Sequence, residues 1–263
     1  MDFTAKSRYD INDMLEIMRI LRSENGCPWD REQTHKSIRK DFLEEVYEAV
    51  EAIDTEDTEL LREELGDVLL QVVFHSRIEE EQGGFVFGDV VNDVCQKLVI
   101  RHPHVFGDVV AETSDEVLKN WNSIKQETKG QETYTETLES VCKTLPALMY
   151  AQKVGQRAKR AGMDFTDVSQ VIECLEGEIA ELKEAVAENN AEHIEEELGD
   201  VLFSCTNLAR HLKYDAEEAL TRSSEKFINR FRETENLVRF DGIDMASLNI
   251  DELDVYWRKA KTK

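Results

Sequence analysis

Eight carboxylates recur in a fixed pattern along this chain: Glu45, Glu48, Glu64 and Asp67, then Glu178, Glu181, Glu197 and Asp200. Each set reads ExxE followed by ExxD, and nineteen residues separate Glu45 from Glu64 just as they separate Glu178 from Glu197. Acids three residues apart share one face of a helix. Four carboxylates gathered in one place repel one another and lose hydration unless a cation joins them. Hard oxygen donors in that arrangement suit Mg²⁺ or Mn²⁺, with water and phosphate oxygens filling the remaining positions.

Such convergence needs two helices. In the second set, Ile194, Leu198, Val201, Leu202, Cys205, Leu208, Ala209 and Leu212 fall on one helical stripe, and Ile172, Leu175, Ile179, Leu182 and Val186 on another. Both stripes read as core-facing. The polar run Glu188 to Glu192 between them predicts a turn joining antiparallel neighbours, and Asp54 to Thr58 predicts the same turn in the first set. Every repeated carboxylate stands one residue before a stripe position, about 100° around the helix. For antiparallel helices packed stripe to stripe, that shared hand puts all four acids on one side of the seam.

The acids belong to a longer duplication. ELGDVL occurs at Glu64 to Leu69 and at Glu197 to Leu202, an offset of 133 residues, and the match extends through ExxE. Downstream, Lys97 and Arg101 correspond to Lys226 and Arg230, one helical turn apart and able to receive phosphate oxygens, and Trp121 corresponds to Trp257, able to stack on a base. The expected domains are 1–135 and 136–263, with the polar run at Glu127 to Thr137 as linker. Gly66 and Gly199 inside the hexapeptides each cost roughly 1 kcal/mol against alanine in a helix. A close approach by the neighbouring helix would offset that loss.

Composition narrows the class. Three prolines, twelve glycines and 33% charged residues in 263 predict an all-α protein. A formal net charge of -24 excludes nonspecific hold on nucleic acid polymers or anionic membranes. It leaves room for small phosphorylated ligands bridged by divalent cations. The five cysteines lack any CxxC pair, and neither a leader nor a membrane span is visible, so the expected setting is reducing and cytoplasmic. The lone ExxH at Glu32 to His35 falls short of a di-iron bundle, which needs the motif on two helices, and His102 and His104 read as loop and cap residues. GCPWD at Gly26 to Asp30 predicts a helix stop and a turn anchored by packed Trp29.

Together with GCPWD, LEEVYE, EELGDVL, RHPHVF, LPALMYAQK and EEELGDVLF, the tandem ExxE, ExxD and basic helices resemble the MazG family of nucleoside triphosphate pyrophosphohydrolases in its two-domain form. The resemblance implies an all-α bundle completed by homodimerisation and Mg²⁺-dependent cleavage of an NTP to NMP and pyrophosphate. It implies Glu178, Glu181, Glu197 and Asp200 as metal ligands and catalytic groups, and Lys226, Arg230 and Trp257 as substrate contacts. Glu45, Glu48, Glu64, Asp67, Lys97, Arg101 and Trp121 would form a second site. The family pattern also places lysines where this chain has Cys174 and His193, and Gly177 stands where the first copy has a leading acid, Glu44. Broad action on (d)NTPs is expected. The alternatives are a hydrolase narrow for dUTP or another non-standard nucleotide, and an acidic helical interaction module without chemistry.

Overall fold

The computed structural model describes residues 3–114, 116–117, 120–121, 123–124 and 130–261. Twelve α-helices, one 3₁₀ turn and no strand occur among them, and no described helix is long and apolar enough to cross a membrane. The chain divides into two compact units, Met1–Lys125 and Gln126–Lys263. That division precedes the boundary read from the sequence near 135. Of the predicted linker, residues 127–129 lie outside the described ones, while Tyr134–Glu139 is a helix that packs on its own unit.

In the first unit, α1 (Ile11–Leu21), α3 (Arg39–Asp54) and α4 (Thr58–Glu81) make the body, with short α2 (Pro28–Glu32) between the first two. Met18, Ile38, Val73, Phe74 and Ile78 form its core. The Arg22 guanidinium spans Glu81 at 2.8 Å and the Phe74 ring at 5.2 Å, tying α1 to the end of α4. The remaining helices are α5 (Phe87–Arg101) and α6 (Pro103–Phe106). His102 caps both, as expected of a loop histidine. Trp29 is 58% exposed, so it anchors nothing within this unit. The turn before it depends on Gly26, where a Cβ would fall on the backbone carbonyls of Ile20 and Leu21.

The second unit contains α7 (Tyr134–Glu139), α8 (Ala147–Arg160), α9 (Val168–Glu188), α10 (Ala191–His211), α11 (Ala216–Phe240) and α12 (Ile250–Ala260). Asp164, just before α9, takes a two-pronged contact from Arg210 at 2.6 and 3.1 Å and another from His211 at 2.9 Å. This clamp fastens the start of α9 to the end of α10. Gly155 marks the crossing of α8 over α10, because a Cβ there would stand 2.6 Å from Asn207 Oδ1.

The duplication is visible in the hairpin turns. Glu56 and Asn189 both take left-handed backbone, with φ of 56° and 54°. The next residue in each copy, Asp57 or Asn190, caps the following helix through its side chain. That geometry reverses the chain in two or three residues, which is what antiparallel packing of α3 on α4, and of α9 on α10, requires.

The apolar stripes correct the sequence reading. Leu198 is 48% exposed and Leu202 50%, and Ile172, Ile179, Cys205 and Leu212 are also exposed. α10 instead buries Glu197, Ser204, Thr206 and Asn207. Three helix neighbours cannot all be served by one face, and α8 and α9 occupy the polar side. The glycines are corrected with the stripes: Gly66 and Gly199 have nothing within 4 Å of an added Cβ, so neither admits a close helix inside its unit.

Candidate active site

Each hairpin brings carboxylates together from both of its helices. In the second unit, oxygens of Glu178, Glu197 and Asp200 lie within 4.8 Å of one another; in the first, those of Glu45, Glu48 and Glu64 do. Three of the four expected acids therefore meet in each copy. Glu181 and Asp67 fall outside these triads, although the Asp67 charge still reaches Glu45 and Glu64.

Antiparallel pairing explains the convergence. The two helices of each hairpin run side by side from a tight turn, so acids two to three turns before the turn come level with acids two to three turns after it. Glu197 is 7% exposed and Glu64 8%, an expensive placement for a carboxylate unless something compensates. Burial, followed by the charges of Glu48 and Asp67, raises the pKa of Glu64. Burial likewise raises that of Glu45, with Asp67, Glu48, Glu64 and Asp41 contributing.

In the second unit the carboxylates have other neighbours. His193 Nε2 lies 3.1 Å from Glu197 Oε1, while Glu197 Oε2 is buried without a hydrogen-bond partner. Cys174 Sγ is 3.6 Å from Glu178 Oε1, with Ser204 Oγ 3.9 Å behind it. Burial raises the Cys174 thiol, and the adjacent carboxylate charges add to the effect. An orphaned, buried carboxylate oxygen beside two further acids is the donor arrangement a hard divalent cation fits.

The basic residues form a separate group. Lys226 and Arg230 line one face of a shallow 380 Å³ groove on α11, closed by Ala260 of α12. Trp257, also on α12, lies against Phe227 with ring centroids 5.1 Å apart. No ion pair joins Lys226 or Arg230 to the four acids among the described residues. In the first copy Lys97 is exposed on α5, and the Arg101 guanidinium sits 5.9 Å from the Trp121 ring.

Two polar arrangements escaped the sequence reading. The Asp164 clamp has no local signal, since its partners lie 46 and 47 residues away. His35 and His75 meet with Nδ1 atoms 2.7 Å apart, ring centroids 5.0 Å apart and planes within 6°, so the rings lie edge to edge. Glu79 Oε1 is 2.9 Å from the other nitrogen of His35. By contrast, the contact between His193 and Glu197 follows an i, i+4 spacing that the sequence displays.

Comparison with known proteins identifies the family. The model of the MazG nucleotide pyrophosphohydrolase domain matches residues 33–106 and 158–234, one segment in each unit and each enclosing a full acidic set. The chain is 43% identical over 249 residues to the nucleoside triphosphate pyrophosphohydrolase/pyrophosphatase MazG of Thermotoga maritima, covering 95% of this chain and 94% of that protein. It is 43% identical over 256 residues to the nucleoside triphosphate pyrophosphohydrolase of Escherichia coli K12, covering 95% and 97%. It also matches the uncharacterised protein YabN of Bacillus subtilis at 42% over 254 residues, covering 96% of this chain and 52% of that one. With both hairpins inside matched segments and near full-length likeness to such relatives, this chain belongs to the MazG nucleotide pyrophosphohydrolase family.

Proposed function

We propose that this chain hydrolyses nucleoside triphosphates to the monophosphate and pyrophosphate at the α9 and α10 hairpin, with Mg²⁺ or Mn²⁺ held by Glu178, Glu197 and Asp200 and supported by Glu181. The observation that carries the site assignment is the buried, unpartnered Glu197 Oε2 beside two other carboxylates. A cation bound there supplies charge neutralisation for the triphosphate and activates water. Glu178 orients the attacking water and accepts its proton as the oxygen bonds to the α-phosphorus. The bond between that phosphorus and the bridging oxygen breaks, and pyrophosphate leaves with the electron pair. Lys226 and Arg230 receive phosphate oxygens, and Trp257 offers a ring to the base.

The first copy, with Glu45, Glu48, Glu64, Asp67, Lys97, Arg101 and Trp121, is proposed as a second site of the same kind. The exposed stripes of Ile172, Ile179, Leu198 and Leu202 support a homodimer that would cover them, since such apolar patches usually mark an interface. A reducing cytoplasm accords with five free cysteines.

A panel of (d)NTPs, including dUTP, tests this reading on wild type, Glu48→Ala and Glu181→Ala with Mg²⁺. Products are resolved as monophosphate and pyrophosphate. Loss of about 10² in kcat in Glu181→Ala is expected if this acid stabilises transition-state charge. Activity confined to dUTP would replace the broad reading with the narrow one. Release of nucleoside diphosphate and orthophosphate would sink the proposed chemistry, and no turnover with no thermal shift on a nonhydrolysable NTP would favour an interaction module.

A further inference from the structure

We infer that His193 is a positioning residue that fixes the carboxylate of Glu197, and that its absence from the first copy makes the two acidic clusters unequal cation sites. The inference rests on reading those clusters as cation sites.

The two hairpins share one backbone frame, so their differences are differences of side chain. A left-handed residue, Glu56 or Asn189, is followed by a capping residue, Asp57 or Asn190. The third helical position is Leu60 in one copy and His193 in the other, and the cap accepts its backbone N–H at 3.0 and 3.3 Å respectively. One turn further stands the buried acid, Glu64 or Glu197. From an equivalent anchor, His193 reaches Glu197 Oε1 with Nε2 at 3.1 Å, whereas Leu60 has no donor to offer.

A carboxylate with one oxygen held is no longer free to turn about its last bond. Its second oxygen then has a defined direction, and here that oxygen is buried and unpartnered. Outer partners of this kind orient ligating groups and are worth about 10- to 100-fold in metal affinity. Glu64 has Leu60 at that position and instead stands beside other acids, with oxygens of Glu45 and Glu48 within 4.8 Å. A second contrast surrounds Glu178: Cys174 on α9 lies beside it with Ser204 of α10 behind, while the corresponding residues of the first copy are Asp41 and Gln71. Where Cys174 offers a thiol, Asp41 is a further carboxylate.

The test is Mn²⁺ binding to the full chain, read from the free-ion electron paramagnetic resonance signal. Placing Glu45→Gln with Glu64→Gln leaves the second cluster to be measured alone. In that background His193→Leu is expected to weaken Mn²⁺ binding about tenfold or more, and His193→Gln, which keeps a donor at similar reach, to restore most of it. In the reciprocal background, Glu178→Gln with Glu197→Gln, Leu60→His is expected to tighten the first cluster. A gain of this sort cannot come from misfolding. Unchanged binding in His193→Leu, or failure of the glutamine to rescue, overturns the inference while leaving the cluster reading intact, provided Glu197→Gln on its own weakens Mn²⁺. If Glu197→Gln also leaves binding unchanged, the cluster reading falls with it.

Discussion

Replacing Asp164 by asparagine removes one charge and leaves shape almost unchanged, at the point where the two carboxylate helices of the second unit are fastened together. Arg210 is 7% exposed and directs two N–H groups at Asp164, while His211 directs a third contact from a site nearly as enclosed. Lys159, at 3.3 Å, is largely exposed and adds little. Taking one partner from a buried ion pair costs about 3–5 kcal/mol, because the remaining charge keeps its burial and loses its compensation. Asparagine keeps one acceptor oxygen, so a loss of about 3 kcal/mol is expected, near the lower end. For a unit of this size that is roughly 9 °C in the melting of the second unit. Differential scanning calorimetry on the whole chain would resolve it.

The same residue sets a sign for acid stability. Arg210, followed by His211 and Lys159, holds the Asp164 carboxyl well below the usual carboxylate range, against the opposing effect of burial. A carboxylate depressed on folding contributes fully above its unfolded value, near pH 4, and loses that contribution as the pH falls through the acid range. Wild type should therefore destabilise more steeply below pH 4 than Asp164→Asn. A variant melting within about 2 °C of wild type, or one with the same acid slope, would refute the assignment of this clamp as a buried ion pair.

Other consequences can be checked with modest effort. Gly155→Ala should lower the stability of the second unit by about 1–3 kcal/mol, since a methyl meets Asn207 Oδ1 at 2.6 Å and the crossing must open; chemical denaturation reads it, and an unchanged midpoint would contradict the close crossing. Gly199→Ala, which meets nothing within 4 Å, should leave the monomer unchanged or raise its stability by up to about 1 kcal/mol. Burial, and then His35, lowers the pKa of His75, so its ring proton signals should titrate with a midpoint below 6.5. That shift favours the fold above the unfolded value and weakens it as pH falls, and a midpoint at or above 6.5 would overturn the prediction. If the exposed stripe closes the proposed homodimer, Leu202→Lys should shift the chain from dimer to monomer in analytical ultracentrifugation without lowering helicity; the same mass as wild type would remove Leu202 from the interface.

The comparison of sequence and structure separates what periodicity encodes from what it leaves open. Helix class, the hairpin turns and the approach of Glu178 to Glu197 and Asp200 were legible, because i, i+3 spacing and a short polar break leave few alternatives. The direction of the apolar stripes was not. A stripe at Leu198 and Leu202 states that a face avoids water, without stating whether the covering surface belongs to the same chain. The purpose assigned to Gly66 and Gly199 failed for the same reason. Contacts such as Arg210 with Asp164 depend on the path of the loop before α9, which local pattern does not contain.

The pairing of α9 with α10 carries both the acidic cluster and a large part of the tertiary structure of its unit. Any ligand that relieves repulsion among those acids therefore adds its binding free energy to the native state, by RT ln(1 + [L]/Kd). At a ligand concentration a hundred times Kd, that is about 2.7 kcal/mol, comparable to the Asp164 clamp. Cation and nucleotide supply would then govern how much of the protein survives unfolding and proteolysis, as well as how fast each molecule works. Starved of them, a cell would hold fewer copies of the enzyme and not merely idle ones.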